Sequence, residues 1–466
     1  MHFDHEEEDR NLSLSKFESM LKTNKVFFFD SEEFEEIILH YLDMGKATLA
    51  KKALKLGLEQ HPKSTGLKLV QVEMLIYDEK LDQAEKMLNE LYALEPTNEE
   101  IYILKANIYS KKDKHETAVE LLETALQYSE DHADIYNLVG MEYLFMDNLE
   151  MAKINFIKCL EEDFEDQSGL YNVVYCFEFL DQNQEAIDYL KTYIEKNPYS
   201  EIAWHQTGRL YYGLKNYELA ATSFELATYI DDEFIGAFLE RGKALERLKR
   251  YDEAIVSYNQ TIVLDDPTSY ALLRIGKCYE KLGNKVEALK YYNKTVHEDP
   301  LLDKGWIAIT DFYVSQKNHQ KALYYVNKAL AIDDQNRLYW KRFATINKAM
   351  NNIEEAEYGY RKAVELGDFQ LDTWLFWVDI MKIMGEHNNG ILTLIQAAEY
   401  FPDQFEIEYR MAGFHFLLNE EEKGNFHLNN ALRLNSKHVS ILEELFPLVW
   451  DRVSVQEYIS KHKKSE

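Results

Sequence analysis

Apolar and polar residues recur with a period of 34 from Ser31 to His438, without insertion or deletion, dividing 408 residues into twelve repeats. Position 20 is always small: Ala50, Ala84, Ala118, Ala152, Ala186, Ala220, Ala254, Ala288, Ala322, Ala356, Gly390 and Gly424. Position 4 carries Phe34, Tyr102, Tyr136, Trp204, Phe238, Trp306, Trp340 and Trp374, and position 24 carries Phe156, Phe224, Tyr258, Tyr292, Tyr360 and several Leu. Such spacing predicts two amphipathic helices per repeat, each with one apolar stripe. Position 8 is often Gly or Ala (Gly140, Gly208, Gly242, Gly276), and position 11 is largely aromatic (Tyr41, Tyr109, Phe177, Tyr211, Tyr279, Tyr313). Two closely crossing helices need both, a small residue where the backbones approach and a large one beside it. Pro62, Pro96, Pro198, Pro300 and Pro402 all fall at position 32, where they stop the second helix.

These residues resemble the tetratricopeptide repeat, with Trp at 4, Leu-Gly at 7 and 8, Tyr at 11, Ala at 20, Phe at 24, Ala at 27 and Pro at 32. Repeat six, residues 201–234, shows Trp204, Gly208, Tyr211, Ala220, Phe224 and Ala227. Lys68, Asn347 and Glu408 depart from the pattern, so the second, tenth and twelfth repeats are expected to pack less regularly. The resemblance implies an all-α, right-handed superhelical solenoid of twelve helix-turn-helix repeats. Its first helices would line a concave groove that binds other proteins. Each repeat touches mainly its neighbours, so the ends need caps. Residues 1–30 read as an acidic tail and capping helix (Leu12, Leu14, Phe17, Met20, Leu21). Residues 439–466 (Ile441, Leu442, Leu445, Phe446, Val449, Trp450, Tyr458, Ile459) read as capping helices, or as a docking or homodimer contact.

Composition narrows the function. A net charge of −30 disfavours a protein built to coat nucleic acid or anionic membrane. Cys159, Cys176 and Cys278 are odd in number and widely spaced, as expected of packing residues in a reducing compartment. The acidic start, Met1 to Asp9, lacks the basic and apolar regions of a secretory signal, and no run reaches the roughly 20 apolar residues of a membrane span. A cytoplasmic protein is therefore expected. No nucleotide-binding glycine loop, HExxH or GxSxG motif occurs, so the chain is expected to be neither an enzyme nor a cofactor carrier. His2 and His5 beside Asp4 and Glu6 read as acidic tail rather than metal ligands, and His415, His427 and His438 as packing or surface residues.

Positions 2, 5, 6, 9, 12 and 13 of the first helix line the groove in the family that the repeats resemble. In repeats four to six these include Asn137, Met141, Tyr171, Asn172, Tyr175, Phe179, His205 and Tyr212, an aromatic stretch with polar handles. Repeats six to ten bring Arg209, Lys243, Arg247, Arg274, Lys277, Lys304, Lys341, Arg342 and Lys348. Residues 235–370 hold 21 Lys or Arg against 19 Asp or Glu, although the chain as a whole is acidic. Singly, each cation reads as a solvated residue near acids such as Glu240, Glu246 and Glu280. Together they read as a lane for an acidic extended or helical segment of a partner. Alternatives are a peptide or small-ligand sensor, and RNA binding through the basic lane. The five-residue carboxylate clamp for a chaperone's acidic tail, known in the same family, is not matched in any three consecutive repeats.

Overall fold

The computed structural model describes residues 2–23, 27–264 and 268–463, with side chains described for 13–23, 27–264 and 268–460. The chain is all-α. Among the described residues there are twelve helical hairpins in one phase, and no strand. First helices begin at Ser31, Thr65, Glu99, Ala133, Gln167, Glu201, Ile235, Ser269, Asp303, Arg337, Leu371 and Phe405, and each second helix begins 16 residues later, from Ala47 to Glu421. The chain forms two compact bodies, Met1–Asp231 and Asp232–Glu466. Repeats one to six build the first, and repeats seven to twelve the second.

Polar residues set the helix starts. Ser64, Asn98, Asp166, Ser200, Thr268 and Asn336, all at position 34, cap the following helix by accepting from a backbone N–H in its first turn. Asn148, Asn216, Asn284 and Asn318 at position 16 do the same for second helices. Between the two helices, position 15 takes a left-handed conformation in all twelve repeats. Only Gly45, Gly283 and Gly385 are glycine there; the other nine residues, Lys215 and Lys249 among them, hold φ near +60°. This one reversing residue closes the hairpin, at a cost of about 1–2 kcal/mol where a Cβ is present.

In repeats four, six, seven and eight the aromatic ring at position 24 lies over the glycine at position 8. A Cβ on Gly208 would meet Phe224 at 2.6 Å, and one on Gly276 would meet Tyr292 at 2.5 Å. The large partner for the close approach is therefore on the second helix, whereas position 11 stacks instead on position 23. Tyr279 stacks on Tyr291 at 5.5 Å, and Tyr313 on Tyr325 at 5.5 Å. In repeats three, six, nine and ten, position 4 latches the repeat to the one before it. Tyr102, Trp204, Trp306 and Trp340 donate to the carbonyl oxygens of Pro96, Pro198, Pro300 and Asp334, at 2.8, 3.1, 2.9 and 2.8 Å. Trp374 is buried at the same position, and its indole N–H has no partner among the described residues.

The three departures from the repeat pattern do not disturb the phase. Lys68 is half-buried in a helix of ordinary length, Thr65–Tyr77. Asn347 is buried but satisfied, donating to the Phe343 carbonyl at 3.0 Å and accepting from Asn352 at 3.0 Å. Glu408 accepts from His427 at 2.8 Å, and His427 stacks on His415, so the twelfth repeat replaces the tyrosine pair with two imidazoles.

At the N-terminal end a helix, His2–Thr23, buries Phe17 and Met20 against Phe29, Phe34 and Tyr41. It runs through the segment expected to be an acidic tail. The side chains of His2, His5 and Leu12 lie outside the described residues. At the other end, helices Ser440–Leu445, Pro447–Trp450 and Val453–Lys463 place Leu442, Phe446, Val449, Val455 and Ile459 in the core of repeats eleven and twelve. Phe446 sits where a Gly413 Cβ would be, and the Leu445 carbonyl accepts from Lys382 at 2.6 Å. Most of the apolar surface of this segment is therefore covered by its own chain.

Candidate protein-binding surface

The sequence-selected residues fall into two sets, one in each body. In the N-terminal body, Asn172 donates to Asn137 at 3.5 Å, which brings the first helices of repeats four and five side by side. Met141 is half-buried beside them. Tyr171, Tyr175 and Phe179 are exposed, and the last two rings are tilted against each other with centroids 4.3 Å apart. In repeat six, Tyr212 is half-buried edge-on to Tyr217. Arg209 donates to Gln206 at 2.7 Å and reaches Glu178 at 3.5 Å. His205 is turned inward: it is buried, and its ring packs on Phe224 at 5.6 Å.

In the C-terminal body the cations divide by partner. Arg342 makes a two-pronged bridge to Asp311, at 2.9 and 3.1 Å, and Arg274 donates to Glu246 at 2.7 Å. Tyr258 donates to the same Glu246 at 2.7 Å, and burial, with Glu246 next, pushes the Tyr258 phenol pKa up. Lys341 bonds Gln370 at 2.8 Å and lies 3.9 Å from the buried Asp368 carboxylate. Lys243 sits over the Tyr270 ring at 5.6 Å and Lys348 over Phe376 at 4.9 Å, both as cation–π contacts. Arg247 is exposed.

Lys277 and Lys304 are different. Neither ammonium has a hydrogen-bond or ion-pair partner among the described residues. Burial, and then the neighbouring Arg274, hold the Lys277 pKa below the usual lysine value; Lys304 acts in the same direction, while Glu246 and Glu280 oppose it. A partly buried ammonium at Lys277, with the exposed Lys304 and the Glu246-paired Arg274 nearby, is what a bound anion would relieve.

Sequence reading missed the ladder of arginines that staple adjacent first helices. Arg342 reaches Asp311 and Arg410 reaches Asp379, each across 31 residues, which is one repeat less three. Arg410 is the more enclosed, bonded to Asp379 at 2.8 and 3.0 Å with little of either side chain exposed. The signal was present as arginine at position 6 with aspartate at position 9 of the preceding repeat. It shows only when charges are compared across repeats rather than along one helix.

Other reactive groups are enclosed. Cys159, Cys176 and Cys278 are buried and free, and burial pushes their thiol pKa values up to about 12, 11 and 12. Such thiols are poor nucleophiles. Among the described residues no group of three or more His, Cys, Asp or Glu could hold a metal ion, and no helix is long and apolar enough to cross a membrane.

Profiles of the tetratricopeptide repeat match residues 75–141, 133–166, 202–234 and 270–301. Anaphase-promoting complex subunit 3 of Schizosaccharomyces pombe is 22% identical over 159 residues, which are 34% of this chain and 24% of that protein. The match thus spans about a quarter of the relative's length. Among solved structures, the MamA protein is 22% identical, with 37% of this chain and 94% of that one covered and a TM-score of 0.33. The C-terminal part of a TPR repeat-containing protein from Cytophaga hutchinsonii is 17% identical, with 59% and 98% covered and a TM-score of 0.40.

Proposed function

The chain belongs to the tetratricopeptide-repeat family, and from that premise we propose that it is a non-catalytic interaction scaffold whose C-terminal body receives an acidic extended or helical segment of a partner protein. Lys277 carries the reading: a partly desolvated ammonium beside Arg274 and Lys304, with no carboxylate bonded to it. The partner's carboxylates supply the missing counter-charge at Lys277 and Lys304. Lys243 and Arg247 extend the same face, whereas Arg274 and Arg342 are engaged with Glu246 and Asp311 and hold the wall in place. The S. pombe relative is by name a subunit of a complex, which supports membership of a multi-protein assembly.

The test is fluorescence anisotropy with a labelled Leu/Glu amphipathic peptide across a salt series. Lys277→Glu combined with Lys304→Glu is expected to weaken binding at least tenfold, about 1.4 kcal/mol or more, and to flatten the salt dependence. Unchanged affinity with an unchanged salt slope would remove the acidic-partner reading.

A further inference from the structure

The N-terminal body carries an apolar ridge that its own chain leaves uncovered. Tyr171, Tyr175 and Phe179 follow one another at four-residue spacing along the first helix of repeat five, and are 40%, 43% and 65% exposed. That spacing places the three rings in one stripe, about 6 Å apart along the axis. Beside them, on the first helix of repeat four, Leu138 and Phe145 are 39% and 59% exposed. Single exposed apolar residues need no explanation, but five on two adjoining helices form a patch of the kind that marks a docking surface.

The charge around this patch is opposite to that around Lys277. The first helices of repeats four and five carry no Lys or Arg; of their acids, Asp134 is exposed and Glu178 half-buried, while Glu142 is buried against His115. Across residues 133–200, 4 lysines stand against 14 acids, and all of those lysines are on second helices. Three are already engaged: Lys153 with Glu150, Lys191 with Asp188, and Lys158 over the Tyr136 ring. Arg209, the nearest cation on a first helix of the next repeat, makes its short bond to Gln206 and only a long one to Glu178. An acidic segment laid here would be repelled, and a basic one attracted.

We infer that this ridge docks a cationic amphipathic helix of a partner protein. The inference rests on the interaction-scaffold reading but assigns the N-terminal body a ligand of the opposite charge. Apolar side chains of the incoming helix, three and four residues apart, lie between the rings of Tyr171, Tyr175 and Phe179. Its flanking Lys and Arg reach Asp134 and Glu178 and the open faces of the rings.

Three labelled model helices of equal length decide it on the full chain by anisotropy: Leu/Lys, Leu/Glu, and Ser/Lys with the charge of the first and none of its leucines. The Leu/Lys helix is expected to bind saturably and at least tenfold more tightly than Ser/Lys. Tyr175→Ser with Phe179→Ser is expected to lose that advantage. Tyr175→Lys, a single exposed change whose helicity is checked by circular dichroism, is expected to lose it as well. Lys277→Glu with Lys304→Glu is expected to leave Leu/Lys binding at least as tight while weakening Leu/Glu. If Ser/Lys binds as well as Leu/Lys, or if the ridge variants retain full affinity, the ridge proposal is overturned and the acidic-partner reading stands on its own arm of the experiment.

Discussion

The two bodies use one backbone and line it with different chemistry. Each is six hairpins with the same helix starts, the same left-handed residue at position 15 and the same small residue at position 20. Yet residues 1–231 hold 22 Lys or Arg against 46 Asp or Glu, while residues 232–466 hold 30 against 36. In the first body the outward positions of the first helices present aromatic rings among acids. In the second they present cations, several of them stapled to acids of the preceding repeat. The contrast teaches that the positions facing inward between helices specify the fold, and that the remaining positions on the first helix are free to diverge.

The largest expected effect separates stapled from unstapled cations. Asp379→Ala leaves the enclosed Arg410 guanidinium without its carboxylate, so the transition assigned to the C-terminal body should lose about 3 kcal/mol in urea unfolding followed by hydrogen exchange. Asp311→Ala, beside the more open Arg342, should lose about 1 kcal/mol or less. Equal losses at the two sites would mean that the ladder is not graded by burial.

A middle-sized effect concerns pH. His415 is buried, which lowers its pKa, and it faces Glu420, His427 and Lys423, while Glu408 holds His427. With a folded pKa below the ordinary value, the unfolded chain takes up protons first. The stability contributed is therefore complete above about pH 6.5 and is lost as pH falls below it. Thermal unfolding of the C-terminal body should drop by a few degrees between neutral and mildly acid pH. Replacing both imbidazoles by the pair found in repeats eight and nine, His415→Tyr with His427→Tyr, should flatten that dependence, whereas a drop of equal size in the variant would place the acid sensitivity elsewhere.

The smallest effect should be the same in both bodies. Lys215 and Lys249 hold φ at +63° and +62°, a conformation that glycine adopts without strain. Lys215→Gly in the first body and Lys249→Gly in the second should each raise stability by about 0.5–1 kcal/mol, after the added flexibility of the unfolded chain is offset. A gain in one body and a loss in the other would break the claim of a shared backbone.

How much of this could be read beforehand follows from where each signal lies. Ala220, Phe224 and Trp204 recur at fixed spacing because every hairpin makes the same demand of them, so the helices and their phase were legible. Position 15 was not, since Glu79, Asp113, Lys215 and Asn351 share a backbone angle and little composition. The aromatic ridge was visible as Tyr171, Tyr175 and Phe179, but its acidic setting required the neighbouring helices. The basic lane was visible as charges without their partners, because Asp311 and Glu246 belong to other repeats. His205 and Tyr171 share position 5, yet one is buried and the other exposed; in repeat six the Phe224 ring, lying over Gly208, offers His205 a surface to pack on.

The hydrogen bond from position 4 to the carbonyl of the preceding repeat has a mechanical consequence. It ties repeats three, six, nine and ten to the repeat before, so under tension these four junctions carry a bond that the others lack. When one hairpin yields, the chain it frees can lengthen by on the order of 100 Å, and the next still bears the load. Stretching should therefore give rips whose step length is set by the 34-residue period, with the higher forces at the four latched repeats.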